Sequence, residues 1–235
     1  MAIEQAAGEQ VSGISSMAAR SVLAELAEVY ERRSGQRVAI ESVGGVEAAR
    51  RVEAGEAFDF VVLSANAIDQ LAQAGRIDPR RRIDFARSGI AIAVKAGAPR
   101  PDVADEQALR AAVLGARSIG YSTGPSGVHL AGLFERWGIA DAIATRIVRA
   151  PPGVPVGALI ARGDVELGFQ QLSELMHVPD IEVIGPLPPE IQVVHVFSAA
   201  VCIASNRGAA AMALLSFLAS PEADAAKRRH GMEPA

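Results

Sequence analysis

Short β-type runs alternate with amphipathic stretches along almost the whole chain, and this alternation limits the fold more than any other feature. Apolar runs of about five residues followed by 3.6-period stretches build β-α-β units, with parallel strands and helices on the sheet faces. Residues 10–14 read as a strand ending at Ser15 and Ser16. A helix is expected over 17–33, because Val22, Leu23, Leu26, Val29 and Tyr30 share one face and Gly35 can stop it. Next come a strand over 38–42, a turn at Gly44-Gly45 and a helix over 46–54 closed by Gly55. A buried strand over 58–64 and a helix over 66–74 closed by Gly75 follow. The segment 76–89 reads as turn-rich. Its basic run Arg80, Arg81 and Arg82, beside Pro79, is expected to be a solvated loop.

From Ile90 the cycle restarts. Strands are expected at 90–94, 117–121, 146–149, 165–169 and 181–185, and helices at 105–114, 126–137 and 155–162. The run 192–204 is long enough to pass from one unit to another. Helices over 208–219 and 221–230 close the chain, the second opening on Pro221. The expectation is an α/β fold of two lobes with mostly parallel sheets. One lobe holds 1–87 plus 200–235 and the other 90–195, with crossovers near 88–94 and 193–203. Two crossovers make a two-strand hinge with a cleft that can close on a ligand.

Composition narrows the partners. The 235 residues are 50% apolar and 21% charged with a net charge of −4, which fits a folded chain and argues against a nucleic-acid partner. No apolar run is long enough for membrane insertion. The N-terminus, MAIEQAAGEQ, lacks a basic start and an apolar core, so it does not read as a leader. The chain is cytoplasmic as written, or periplasmic if a leader has been trimmed. Cys202 is the single cysteine and reads as a buried structural thiol. His129, His177, His195 and His230 show no ligand spacing, so no metal and no cofactor is expected.

In open α/β sheets, ligands sit beyond the carboxyl ends of strands, at the starts of the following helices. Those positions are rich in Ser and Gly: Ser15 and Ser16, then Gly44, Gly45 and Val46, then Ser64, then Ser126 and Gly127 within STGPSGVH, then PPGVPVG. A helix start offers unpaired N–H groups and a positive dipole end, and several together suit a small anion. Taken singly, each serine reads equally as a helix cap. Arg20, one turn into the first helix, can reach an anion at Ser16 or lie on the surface. His129, Glu47 and Tyr121 are the candidates for proton transfer, and packing or dipole-compensating roles are open for each. GPSG is one residue short of a nucleophile elbow, and TGPSG lacks the lysine of a P-loop.

GISS, VGGVEAARRVEAGEAFDFVVLSAN, ARSGIAIAVKAGAP, GYSTGPSG and PVGALIARGDVELGFQQLSEL together resemble the molybdate-binding type of periplasmic solute-binding protein, over about residues 11–230. The resemblance implies a type 2 two-lobed fold, an importer of the ABC class as partner if the chain is exported, and anion contacts at Ser16, Gly44 to Val46, Ser126, Gly127, Val156 and Gln171. Where that family has a serine on the second loop, this chain has Gly-Gly-Val, and Gln171 aligns with a tyrosine. These departures favour a flatter di- or tricarboxylate over a tetrahedral oxyanion. The features ISS, YS-x-x-x-SGV, GFQQ-x-SEL and GPLP resemble a subgroup, the aconitate isomerases, which move an allylic proton in a small unsaturated tricarboxylate. Binding protein and isomerase both remain open at this stage. A ligand sensor is disfavoured, since no helix-turn-helix is attached.

Overall fold

Strand β1 (Val11–Ser16) opens the frame, followed by one 3-10 turn (Met17–Ala19) and α1 (Arg20–Ser34), so the first helix starts in two stages. This is a computed structural model, and it describes residues 10–151 and 153–235. The reading of residues 1–9 as something other than a leader lies outside the described residues. Helix α1 buries Val22, Leu23, Leu26 and Tyr30, the expected stripe, with Val29 at its margin. Each large apolar side chain so removed from water contributes roughly 1.5–3 kcal/mol. The helix ends at Gly35 with φ 73°, a left-handed conformation that glycine adopts without a β-carbon clash.

The chain then forms β2 (Val38–Val43), α2 (Gly45–Glu53), β3 (Phe60–Ser64), α3 (Ala65–Gln73) and β4 (Ile77–Lys95). It continues through α4 (Glu106–Gly115), β5 (Ile119–Tyr121), α5 (Pro125–Arg136), α6 (Ala140–Ile143), β6 (Ile147–Arg149), α7 (Val156–Arg162), β7 (Leu167–Gln171) and α8 (Leu172–Leu175). Strands β8 (Ile181–Pro186) and β9 (Val194–Cys202), helices α9 (Gly208–Leu218) and α10 (Asp224–Arg229), and the short β10 (Glu233–Pro234) complete it. Among the described residues, no helix is long and apolar enough to cross a membrane.

The segment 76–89 is not a turn-rich loop. It forms the first part of β4, which runs unbroken from Ile77 to Lys95. Pro79 near the strand start is compatible with this, because a proline forfeits only one ladder donor there. The Arg80–Arg82 run therefore lies on a strand. Arg82 pairs with Asp69 and donates to Ser198 Oγ at 3.2 Å, and Ser198 Oγ donates in turn to Asp84 at 2.7 Å. Arg80 is the most exposed of the three, with 90% of its side chain exposed, and its Nε donates to Asp78 at 3.3 Å.

The molecule divides into two compact units. The first takes the chain to Ala86 and then Phe197–Arg229 and Pro234–Ala235, and the second takes Arg87–Val196 and His230–Glu233. Two of the boundaries fall inside β4 and β9. In the first unit the strand order is β2-β1-β3-β9. Strand β1 is parallel to β2 and β3, and β9 is antiparallel to β3. Ile14, Val61, Leu63, Ile68, Leu71 and Ala200 form its core against α2 and α3.

In the second unit the order is β4-β7-β5-β6. Strand β5 is parallel to β6 and β7, while β4 runs antiparallel to β7 and β8. The period-2 alternation of a strand is visible along β4. Ile90, Ile92 and Val94 join one core with Leu130 and Phe134, whereas Ala91 and Ala93 join another with Val156 and Ile160. Gly168 lets α7 pack closely on the sheet: a β-carbon there would sit 2.4 Å from Ile160 Cδ1.

Candidate functional site

Each unit gathers its candidates at the carboxyl end of its parallel strands. In the first unit, Ser16 is register-paired with Val43 at the end of β2, and Ser15 with Val62 two residues before the end of β3. Ser16, Gly44, Gly45, Val46 and Ser64 therefore share one sheet edge. Gly45 stands so close to Ser16 that a β-carbon on it would lie 3.6 Å from Ser16 Cβ. Ser15 is fully buried and serves the frame: its hydroxyl shares a 2.8 Å hydrogen bond with Ser42 and ties β1 to β2. Ser16 is different. Its Oγ is buried and has no hydrogen-bond partner among the described residues.

Helix caps do not account for these serines. Neither Ser16 nor Ser64, each preceding a helix, makes a side-chain capping bond, and α2 starts from Gly44 with no side-chain cap at all. The first N–H groups of α2 and α3 thus carry no side-chain acceptor at the edge where Ser16 Oγ is buried. Val46 at the start of α2 is exposed. Glu47 chelates Arg50 through bonds of 2.8 and 2.6 Å, and that pairing holds its carboxyl below the usual range, so it stays a carboxylate and is a poor proton acceptor. Arg20 lines a groove of about 550 Å³ between α1 and β2, together with Glu28, Glu31, Glu41 and Ser42. Its acidic lining suits no anion.

In the second unit, Tyr121 of β5 is register-paired with Arg149 of β6 and Phe169 of β7, so the loops after all three strands meet at one edge. Ser126 and Gly127 lie in the first turn of α5, where Ser126 Oγ and Ser122 Oγ share a 3.3 Å contact. Gly127 packs so tightly that a β-carbon would fall 1.6 Å from the Ser122 carbonyl oxygen. The Val156 N–H donates to Gln170 Oε1 at 2.8 Å, and Gln170 Nε2 donates to Glu174 at 2.6 Å. The Tyr121 ring is buried against Phe134 with centroids 6.1 Å apart. The His129 ring meets the Ile191 carbonyl through Nε2 at 2.9 Å.

Gln171 is buried at the end of β7. In the amide orientation that satisfies every neighbour, its NH2 donates to Ser88 O at 3.0 Å and Gly89 O at 3.1 Å, and its oxygen accepts from His195 Nδ1 at 2.8 Å. Burial, and secondarily the neighbouring His129, lower the pKa of His195 below that of an ordinary imidazole, so the ring is neutral near pH 7. Glu174 goes the other way. Its desolvated carboxyl is pushed up to about 7, against the opposing pull of the Gln170 hydrogen bond.

Sequence reasoning passed over His195 and Glu174. The signal for His195 was a lone histidine on a long apolar strand, and nothing in the 24-residue separation announces its bond to Gln171. Glu174 follows Gln170 by four residues, one helical turn, and no local signal in the sequence marks it for burial. Among the described residues, no group of three or more His, Cys, Asp or Glu is arranged to hold a metal ion.

Against known proteins, residues 12–233 match the family model of bacterial extracellular solute-binding proteins. A relative from Pseudomonas sp., described as aconitate isomerase, is 36% identical over 227 residues, covering 94% of this chain and 86% of that protein. Among solved structures, the periplasmic molybdate-binding protein of Azotobacter vinelandii superposes with a TM-score of 0.79 at 21% identity, covering 94% of this chain and 98% of that one. The sulfate-binding protein SubI from Mycobacterium tuberculosis H37Rv gives 0.76 at 16% identity, covering 96% and 87%. The fold is thus that of the periplasmic binding proteins, and the expected resemblance holds for both the molybdate-binding type and the isomerase subgroup. This chain belongs to the bacterial extracellular solute-binding protein family.

Proposed function

We propose that the protein binds a small unsaturated di- or tricarboxylate and shifts its allylic proton, as an isomerase of the aconitate type. The observation that carries this reading is the 36% identity to an aconitate isomerase over 94% of the chain. The site chemistry supports it. Ser16 Oγ is a buried hydroxyl with no partner, beside helix starts whose N–H groups are free of side-chain caps. Such groups stabilise carboxylates in the ground state and the negative charge that develops when a proton leaves carbon. Gly-Gly at 44–45 leaves more room than a serine would, which suits a flat, branched carboxylate better than a compact oxyanion.

A second reading is favoured by the family itself: binding without turnover, as the receptor of an ABC importer. A thermal-shift series with molybdate, sulfate, citrate, cis-aconitate and trans-aconitate separates the cases, since a ligand of the folded state raises the midpoint. Stabilisation by aconitate together with interconversion supports the isomerase. Stabilisation by aconitate without interconversion makes the protein a carboxylate receptor. Stabilisation by molybdate alone overturns the carboxylate reading.

A further inference from the structure

We propose that His195 is the catalytic base of the proposed isomerisation, and that Gln171 is the positioning residue that holds its imidazole with Nε2 open to substrate. The inference rests on the isomerase reading and adds to it the residue that moves the proton.

The argument begins with Gln171. Its amide has three partners, two backbone carbonyls and one imidazole nitrogen. Turning the amide over would set its oxygen against the carbonyl oxygens of Ser88 and Gly89, acceptor facing acceptor, so the orientation is fixed by hydrogen-bond count. The amide oxygen then requires a proton on His195 Nδ1. In a neutral ring this leaves the lone pair on Nε2. Among the described residues, His195 Nε2 has no hydrogen-bond partner.

The support around this pair is stiff. Gln192 pairs with Ile90 as a strand would, donating to its carbonyl at 2.9 Å and accepting from its N–H at 3.1 Å, and it also accepts from Val193 N–H at 3.0 Å. That fastens the segment holding the Gln171 acceptors to the segment leading into His195. A base that must reach one carbon-bound proton benefits from such fixed geometry. Of the other candidates, Glu47 is paired with Arg50 and Tyr121 packs in the core, while His129 gives its Nε2 proton to the Ile191 carbonyl and, unlike His195, has no side chain among the described residues holding its ring. Burial keeps the His195 ring neutral, which is the form that can accept a proton.

The step balances without any co-reactant. The Nε2 lone pair takes a proton from the allylic CH2, and the electrons of that C–H bond form the new C=C. The pair from the old C=C accepts a proton from the imidazolium at the far carbon. One C–H bond breaks and one forms, the double bond moves by one carbon, and the base returns to its starting state. In a tricarboxylate whose two terminal arms differ only by that double bond, the product is the geometric isomer.

The test uses the full chain with cis- and trans-aconitate. His195→Ala and His195→Gln are expected to lower kcat by at least about 100-fold, the usual worth of a general base, while the Kd for aconitate by calorimetry moves less than about 3-fold. Added imidazole is expected to restore part of the turnover of His195→Ala. In the wild type, 15N NMR of the imidazole is expected to show a protonated Nδ1, and Gln171→Leu is expected to lose that preference. A His195→Ala variant with wild-type turnover overturns the proposal, as does loss of turnover that imidazole does not restore, or a wild-type ring protonated on Nε2. A wild type that binds aconitate but never converts it overturns the isomerase reading, and the base assignment falls with it.

Discussion

A buried hydroxyl with no partner costs about 1–3 kcal/mol, and the first unit keeps one at Ser16 although alanine would fit the same space. Ligand binding is the reason that fits its place beside Gly45. Ser16→Ala is therefore expected to leave the melting temperature of the unliganded protein unchanged or higher, while weakening aconitate binding by about 10-fold or more, the worth of one hydrogen bond to a charged group. Calorimetry and thermal denaturation of the same variant check both halves, and a variant that binds as the wild type contradicts the assignment.

Glu174 makes a pH-dependent prediction. Its carboxyl titrates at 4.5 when unfolded and at about 7 when folded. Below the lower value both states are protonated and stability is unaffected. As pH rises from 4.5 to about 7, only the unfolded state ionises, so stability falls and then levels off. The difference between the two states corresponds to about 3 kcal/mol. Glu174→Gln keeps an acceptor for Gln170 and removes the ionisation, so urea unfolding is expected to show stabilisation of up to about 3 kcal/mol at pH 8 and none at pH 4. Equal effects at both pH values contradict this. Cys202 is inert by comparison: burial, aided by the charge of Asp59, pushes its thiol up to about 12, as its place in an apolar run suggested.

At the level of elements, the helix starts matter most, and α5 shows why its sequence is so restricted. Pro125 at its first position has a fixed φ suited to a helix start, and Gly127 lets the first turn lie against the Ser122 carbonyl. Gly127→Ala forces that contact apart and is expected to destabilise the protein by about 2 kcal/mol or more, within the upper range for overpacking. A Gly127→Ala variant with wild-type stability in urea contradicts the packing account.

Three helix ends were legible from a glycine that takes a left-handed conformation. Gly35, Gly55 and Gly75 all close helices as read, with φ between 67° and 83°. The first half of β4 was not legible, because Asp78-Pro79 and three arginines carry the local signature of a turn. Pairing that no local rule encodes, including Arg82 with Asp69 and Ser198, holds that stretch extended. The site was legible only as a set of loop positions. Which polar atoms are already engaged, as at Val156 and Gln171, and which are left over, as at Ser16 and His195, depends on side chains that meet across distant segments.

For the whole molecule, the β-α alternation identified the fold class, and the family motifs identified the solute-binding family. Those two readings hold because they rest on patterns repeated along the chain. Proton chemistry rests on single residues, and there the sequence alone left His129, Glu47 and Tyr121 in contention, with His195 read only as one of four histidines lacking ligand spacing. The central claim is that this solute-binding fold converts one unsaturated tricarboxylate isomer into the other. Proton NMR of trans-aconitate in deuterated buffer with catalytic amounts of the protein tests it most directly. The account predicts vinyl resonances of the cis isomer growing in as deuterium enters the allylic position, both lost in His195→Ala. A spectrum that stays unchanged, although aconitate raises the melting temperature, would contradict it and leave the protein a receptor.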